Sequence, residues 1–135
     1  MAVLTIRERF SSGFEGELEA PRAQVDIGSG EGRLAPYDML LGALASCYYS
    51  TFLDVIGKKR LRLAGAEIEA SGEKRLEIPA TLKWVTLRIS LLGAERSPIA
   101  DAGFREAAEL AGKYCSIYQT LSRVAEMKTE LEFKN

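Results

Sequence analysis

An apolar, charge-free stretch occupies the middle of the sequence, from Met39 to Leu53. Pro36 precedes it at a position suited to the first turn of a helix. Gly57 follows it, and Lys58-Lys59-Arg60 then supplies the cations that suit a helix C-terminus. The pattern predicts a helix from Pro36 to about Ile56. Because the stretch is shorter than the roughly 20 apolar residues that span a bilayer, we expect the helix to be buried in protein.

This helix is apolar around nearly its whole circumference, so it must be covered on several sides. One sheet of about six strands would cover one side, and the chain has few further elements to cover the rest. We therefore predict a homodimer in which a second subunit covers this central helix. The apolar residues concerned are Met39, Leu40, Leu41, Leu44, Ala45, Tyr48, Tyr49, Phe52, Leu53, Val55 and Ile56.

The segments outside this helix predict strands and one further helical region. Strands are predicted at 3–10, 14–19, 23–27, 61–74, 81–92 and 127–133. The first three form an antiparallel meander, and the next two form a long hairpin. A helical pattern over 97–124 breaks near Tyr114-Cys115-Ser116. Because strands and helices come in blocks, the order favours an α+β fold in a single domain spanning residues 1–135.

Composition limits the chemistry that the chain can perform. Its 135 residues include 18 Lys plus Arg, 19 Asp plus Glu, two Cys and no His. Without imidazole there is no Ser-His-Asp triad or Cys-His dyad, and two Cys cannot complete a tetrahedral zinc site, so no metal or cofactor is expected. Charges of both signs are interspersed, without the basic face that nucleic acid or an anionic membrane attracts. Neither is therefore expected as a partner.

The N-terminal ten residues carry charges at Arg7, Glu8 and Arg9 and lack the apolar core of a secretory signal. We therefore expect a cytoplasmic protein. In that reducing compartment, two cysteines are more often free or redox-active than joined in a structural disulfide.

The two cysteines occupy different settings. Cys47 lies within the central helix, on the same stripe as Leu40 and Leu44, where its position alone favours a small core residue. Cys115 lies at the break in the second helical region. A following helix could direct its N-terminus at this sulfur and lower its pKa. A buried structural cysteine is the alternative at this position as well.

The segment from Pro36 to Cys47, Pro-Tyr-Asp-Met-Leu-Leu-Gly-Ala-Leu-Ala-Ser-Cys, together with Lys113-Tyr114-Cys115, resembles the OsmC/Ohr family of thiol-dependent hydroperoxide reductases. The resemblance covers most of the chain. It implies antiparallel sheets packed around a long central helix in an intertwined homodimer. It also implies that Cys47 attacks the peroxide, that Cys115 resolves the sulfenic acid as an intrasubunit disulfide, and that a dithiol reductant reopens the disulfide.

The resemblance also implies that a carboxylate and an Arg support the reactive sulfur. In the best-characterised peroxidases of the family, a Glu directly follows the Pro and holds that Arg. Here Tyr37 occupies this position, and Asp38 is the candidate carboxylate. Arg33 and Arg22 are the candidate cations, with a solvated surface charge as the alternative for each. Family members often have Pro after the second Cys, where this chain has Ser116.

Two functions from different classes follow. The first is thiol-dependent reduction of organic hydroperoxides in defence against oxidative or osmotic stress. The second is a non-catalytic dimeric binding protein that keeps the fold and an apolar pocket at the subunit interface. A purely structural role for both cysteines would place their sulfurs too far apart to bridge. Four tyrosines flank the cysteines and either pack in the core or line a pocket for the hydroperoxide: Tyr48, Tyr49, Tyr114 and Tyr118.

Overall fold

A computed structural model describes residues 2–135, so Met1, the first residue of the predicted domain, lies outside the described residues. Two compact units can be distinguished within the chain. One ends at Leu40, and the other runs from Leu41 to Asn135. The single domain that the sequence suggests therefore stays a prediction, and each unit is described by itself.

The N-terminal unit contains the predicted antiparallel meander. Its strands are β1 (Arg7–Phe10), β2 (Glu15–Glu19) and β3 (Gln24–Gly28), in the order β1-β2-β3. The prediction that the first strand begins at residue 3 is wrong, because β1 begins at Arg7. Its partner β2 is only five residues long, and Arg7 pairs with Glu19 at the end of β2, so there is no strand left for residues 2–6 to pair with.

The predicted central helix is α1 (Pro36–Lys58), which begins at the expected proline. One stripe of it is buried, formed by Leu44, Tyr48, Phe52 and Ile56. By length and composition this 23-residue helix could cross a membrane, which the charge-free stretch alone did not indicate. The core helix of a soluble protein meets the same criteria, so length and composition decide nothing between the two.

The second unit contains a three-stranded sheet in the order β4-β5-β6. The predicted hairpin is confirmed as β4 (Gly65–Lys74) antiparallel to β5 (Leu82–Leu92). The last strand, β6 (Glu126–Lys134), runs parallel to β5. The prediction of one sheet of about six strands is therefore wrong, because the strands form two three-stranded sheets. The parallel pairing of β5 with β6 departs from the antiparallel sheets that the resemblance implies. The helical segment between β5 and β6 carries the chain back across the sheet, which is the connection that parallel neighbours require.

That helical segment consists of α2 (Pro98–Tyr114) and α3 (Ser116–Ser122), so the predicted break is confirmed at Cys115. Ser97 caps the start of α2, because its hydroxyl accepts a hydrogen bond from the Ala100 N–H at 2.9 Å. Cys115 has an extended backbone with ψ of 116°, which interrupts the helical path between the two helices.

The core of the second unit lies between this sheet and the helices. Alternate residues of β5 are fully buried, as the period of a strand requires: Val85, Leu87, Ile89 and Leu91. On α2, Phe104 and four alanines are buried with them. The Tyr48 hydroxyl on α1 donates a hydrogen bond of 2.6 Å to the Ala108 carbonyl on α2. This bond fixes α1 beside the C-terminal half of α2. With helices and strands in separate blocks, the α+β class is confirmed.

Candidate functional site

Cys47 immediately precedes Tyr48 on α1, so the residue that ties α1 to α2 also sets the position of the first thiol. The Tyr48 hydroxyl reaches Ala108, and its ring lies 6.1 Å from the Tyr118 ring on α3, measured between centroids. These contacts hold Cys47 near the junction of α2 and α3. Its side chain is half-buried, whereas a core cysteine would be fully enclosed.

Cys115 forms the junction between α2 and α3 and is fully buried. Its backbone N–H donates to the Ala111 carbonyl at 2.8 Å and ends α2, while its carbonyl accepts from the Gln119 N–H at 3.0 Å and begins α3. Its sulfur accepts a hydrogen bond of 3.4 Å from the Tyr118 N–H. The side chain of Cys115 therefore caps α3, and the break in the helix holds it in place.

The structure brings these two cysteines together. Both are free thiols, and they interact closely enough that each shifts the pKa of the other. Ser116 and Ile117, at the start of α3, also act on the Cys47 thiol, because their hydrogen-bonding groups lower its pKa. Cys47 on α1 thus faces the first turn of α3. The sequence placed a helix break there but did not identify Ser116 or Ile117 as neighbours of Cys47, because only the packing of α1 against α2 brings them together.

The pKa values of the two thiols shift in opposite directions. Burial opposes ionisation of Cys47, but hydrogen bonds from the Cys115 thiol and from Ile117 and Ser116 outweigh it and lower the pKa of Cys47. Burial raises the pKa of Cys115, and the neighbouring Cys47 raises it further. The hydrogen bond from the Tyr118 N–H lowers this pKa but does not offset the rise. Cys47 is therefore the more readily ionised and the more exposed of the pair. The N–H groups of α3 lower the pKa of Cys115, as the sequence suggests, but burial and the neighbouring Cys47 outweigh them, so the net shift is upward.

The other predicted site residues, Arg33, Arg22 and Asp38, belong to the N-terminal unit. Arg33 donates to the carbonyls of Gly16 and Ile27, both at 3.2 Å, and pairs with Glu15 at 3.4 Å. Arg22 is exposed in the turn between β2 and β3. The roles of both arginines at Cys47 stay predictions.

Asp38 has a structural explanation at the start of α1. Its carboxylate accepts a hydrogen bond of 2.9 Å from the Ala35 N–H, just before the helix begins at Pro36. A side chain in the first turn that bonds back to this N–H is one half of a capping box. Asp38 as the orienting carboxylate of the site stays a prediction.

A cavity of about 460 Å³ lies beside the Cys115 junction, between α2, α3 and β6. Charged and polar groups line much of it, and Cys47 is not among the lining residues. The residues that line it are Arg105, Ala108, Glu109, Gly112, Lys113, Tyr118, Gln119, Thr129 and Leu131. Within residues 2–135, no cluster of Cys, Asp and Glu is placed to hold a metal ion.

The thiol pair and the helix break are features that the sequence resemblance implies. A comparison with protein families shows whether the chain belongs to the family. A profile described as OsmC-like protein matches residues 28–130. The chain belongs to the OsmC-like family. No match was found among curated protein sequences.

Solved structures share the fold of this OsmC-like protein at low sequence identity. An OsmC-like protein from Mycoplasma pneumoniae has a TM-score of 0.86 at 14% identity, with 99% of each chain covered. An OsmC-like protein of unknown function from Vibrio cholerae has a TM-score of 0.83 at 17% identity, covering 97% of this chain and 99% of that one. The organic hydroperoxide resistance protein OhrB of Bacillus subtilis has a TM-score of 0.68 at 17% identity, covering 97% and 100%. The OsmC/Ohr fold is thereby confirmed over nearly the whole chain.

Alkylation should distinguish the two thiols of this OsmC-like protein. At neutral pH we expect iodoacetamide to modify Cys47 faster than Cys115, because the thiolate is the nucleophile and the lowered pKa of Cys47 gives it the larger thiolate fraction. As pH rises, Cys47 should reach its maximal rate first. Peptide mass spectrometry over a pH series measures both rates, and a faster reaction at Cys115 would contradict this assignment.

Proposed function

We propose that this OsmC-like protein reduces organic hydroperoxides, with Cys47 as the peroxidatic thiol and Cys115 as the resolving thiol. The observation that carries the proposal is the pair itself. Two free cysteines from different elements interact, and the pKa of the more exposed one is lowered while that of the buried one is raised. A nucleophile and its resolving partner require this asymmetry, because only one of them should be ionised when the peroxide arrives.

In the first step, the Cys47 thiolate attacks one oxygen of the peroxide. The S–O bond forms as the O–O bond breaks, and the departing alkoxide takes up a proton to become an alcohol. Cys47 is oxidised by two electrons to the sulfenic acid, and the hydroperoxide is reduced by the same two. Ser116 and Ile117 lower the pKa of Cys47, which favours the reactive thiolate.

In the second step, the Cys115 sulfur attacks Cys47, the S–S bond forms, and the S–O bond breaks with release of water. The Cys47 charge is one of the causes that raise the pKa of Cys115. Conversion of the Cys47 thiolate to a neutral sulfenic acid removes that charge, so Cys115 ionises more readily when its attack is needed. A dithiol reductant then returns both cysteines to thiols and is itself oxidised to a disulfide.

The proposal includes a cytoplasmic homodimer that acts in oxidative or osmotic stress defence. Apolar side chains on α1 outside its buried stripe support the dimer, among them Leu53 with 42% of its surface exposed. A second copy of the chain would cover this surface. A mass of one chain in solution by light scattering would contradict the dimer.

The direct test uses the wild-type protein and stoichiometric cumene hydroperoxide. We expect an intrasubunit Cys47–Cys115 disulfide, identified by mass spectrometry of non-reduced peptides, and loss of both free thiols. A dithiol should restore both thiols. If the peroxide leaves both cysteines reduced, or if the disulfide joins two subunits, the proposed cycle is wrong.

The cavity beside Cys115 favours a second candidate, a non-catalytic binding protein. Its volume of about 460 Å³ falls within the range of small-molecule sites. On this alternative, a ligand would copurify with the protein, Cys47 would titrate as an ordinary thiol, and cumene hydroperoxide would not be consumed. The disulfide experiment therefore separates the two candidates.

A further inference from the structure

Tyr118 lies on α3, three residues after Cys115, and it contacts the second thiol through its backbone. Its N–H donates a hydrogen bond of 3.4 Å to the Cys115 sulfur. Cys115 is fully buried, and its extended backbone joins α2 to α3. The position of the Cys115 sulfur therefore depends on how α3 packs against α2.

The Tyr118 ring packs against Gly112, in the last turn of α2. A methyl group at Gly112 would lie 3.3 Å from Cζ of Tyr118, which is closer than an ordinary van der Waals contact, so the missing side chain makes room for the ring. The Gly112 carbonyl is among the last four of α2, which have no partner within a helix. It accepts a hydrogen bond of 2.9 Å from the Gln119 side chain. Two successive residues of α3 are thus held at the same glycine of α2.

The Tyr118 ring also contacts α1, because its centroid lies 6.1 Å from the centroid of the Tyr48 ring. Tyr48 directly follows Cys47, is fully buried, and donates to the Ala108 carbonyl at 2.6 Å. One side chain thus contacts both the helix that carries Cys47 and the helix that leads into Cys115. Because packed side chains in a protein interior yield little, these contacts limit how far the two thiols can move relative to each other.

We propose that Tyr118 is a positioning residue for the resolving step, in which the Cys115 sulfur attacks the Cys47 sulfenic acid, the S–S bond forms and water leaves. This inference rests on the proposed function and names the side chain that keeps the two sulfurs in line. A displacement of about 1 Å between reacting groups can slow a reaction about a hundredfold. Attack on the peroxide needs Cys47 alone, so Tyr118 should govern the second step and not the first.

The test follows a single turnover with stoichiometric cumene hydroperoxide. Tyr118→Ala should consume the peroxide at the wild-type rate, but its Cys47 sulfenic acid, labelled with dimedone, should persist about tenfold longer before the disulfide forms. Tyr118→Phe keeps the ring and should form the disulfide at the wild-type rate. Peptide mass spectrometry of timed samples measures both species. A wild-type rate of disulfide formation in Tyr118→Ala would overturn the inference, and so would an equal slowing of both steps, because that result indicates a general loss of structure.

Tyr114→Ala is the matched control, because Tyr114 adjoins Cys115 at the end of α2 and 63% of its surface is exposed. Both steps should proceed in this variant as they do in the wild type. If Tyr114→Ala slows the second step as much as Tyr118→Ala does, the effect does not come from the packed ring and the inference is overturned.

Gly112→Ala keeps the inference testable if circular dichroism shows that Tyr118→Ala has lost helix. Alanine favours a helix more than glycine does, so α2 should persist. The added methyl group requires the Tyr118 ring to shift by a few tenths of an ångström. The second step should therefore slow several-fold while the first is unchanged. Disulfide formation at the wild-type rate in Gly112→Ala would then overturn the inference.

A glutathione redox buffer distinguishes failure of this inference from failure of the proposed function, because it needs no peroxide. Tyr118→Ala should lower the equilibrium constant for the Cys47–Cys115 disulfide about tenfold relative to the wild type. If the two equilibrium constants are equal, the role of Tyr118 is wrong even when the wild type consumes cumene hydroperoxide. If the wild type does not consume it, the proposed function is wrong whatever the equilibrium constants are.

Discussion

Cys47→Ser is expected to reduce the rate of hydroperoxide consumption to the rate measured without protein. A serine hydroxyl is a weak nucleophile at neutral pH, and the α3 contacts that lower the pKa of the Cys47 thiol are too weak to ionise it. The substitution replaces sulfur with the smaller oxygen at a half-buried position, so the fold should persist. Consumption of cumene hydroperoxide in the presence of a dithiol measures the loss.

Cys115→Ser is the matched control, because it removes the second thiol and keeps the first. This variant should consume about one equivalent of peroxide and then slow, with Cys47 trapped as a sulfenic acid that dimedone labels. Circular dichroism of both variants establishes that the fold is retained. Unchanged consumption by Cys47→Ser would show that the nucleophile is another group. Full turnover by Cys115→Ser would show that an external thiol resolves the sulfenic acid.

The central helix and the helix break could be predicted from the sequence because local signals specify them. Pro36 is suited to the first turn of a helix, and α1 begins there. Apolar residues at helical spacing continue to the end of α1. At Cys115 the helical pattern ends and a new one begins. The backbone of this residue is extended, so it separates α2 from α3.

The sheet organisation could not be predicted in the same way, because strand pairing depends on residues distant in sequence. The sequence predicted β4, β5 and β6 as strands, but a strand pattern does not specify the direction in which the strand pairs. The direction of β6 follows from the path of α2 and α3, which return the chain so that Trp84 pairs with Glu126 and Leu92 with Lys134. The length of β1 likewise depends on its partner, since pairing ends at Glu19.

The pairing of the two cysteines could be anticipated from the sequence, whereas the pKa shifts of their thiols could not. Family resemblance indicated Cys47 and Cys115, and both lie at the junction. Which thiol gains stabilisation depends on the packing of α1 against α2, through the bond from Tyr48 to Ala108. With that packing, Ser116 and Ile117 lower the pKa of Cys47, while burial raises the pKa of Cys115. No local sequence signal specifies which of the two thiols has the lowered pKa.

Phe104→Ala should lower the free energy of unfolding by about 3–5 kcal/mol, as for other fully buried phenylalanines. Phe104 lies on α2 with none of its surface exposed, and its ring meets Phe133 of β6 edge-on at 6.0 Å between centroids. Its removal leaves a cavity between helix and sheet that rigid neighbours cannot fill. Urea unfolding at one fixed protein concentration measures the change, because a dimer makes stability depend on concentration.

Ile99→Ala is the control on the same helix, because Ile99 is 86% exposed and its loss should change stability by less than about 0.5 kcal/mol. Phe104→Ala should also slow formation of the Cys47–Cys115 disulfide, since α2 carries both the Ala108 carbonyl that anchors Tyr48 and the Ala111 carbonyl that holds Cys115. Disulfide formation at the wild-type rate in a destabilised Phe104→Ala protein would show that the thiols are positioned independently of this core. A loss below about 1 kcal/mol would contradict the packing of α2 on the sheet.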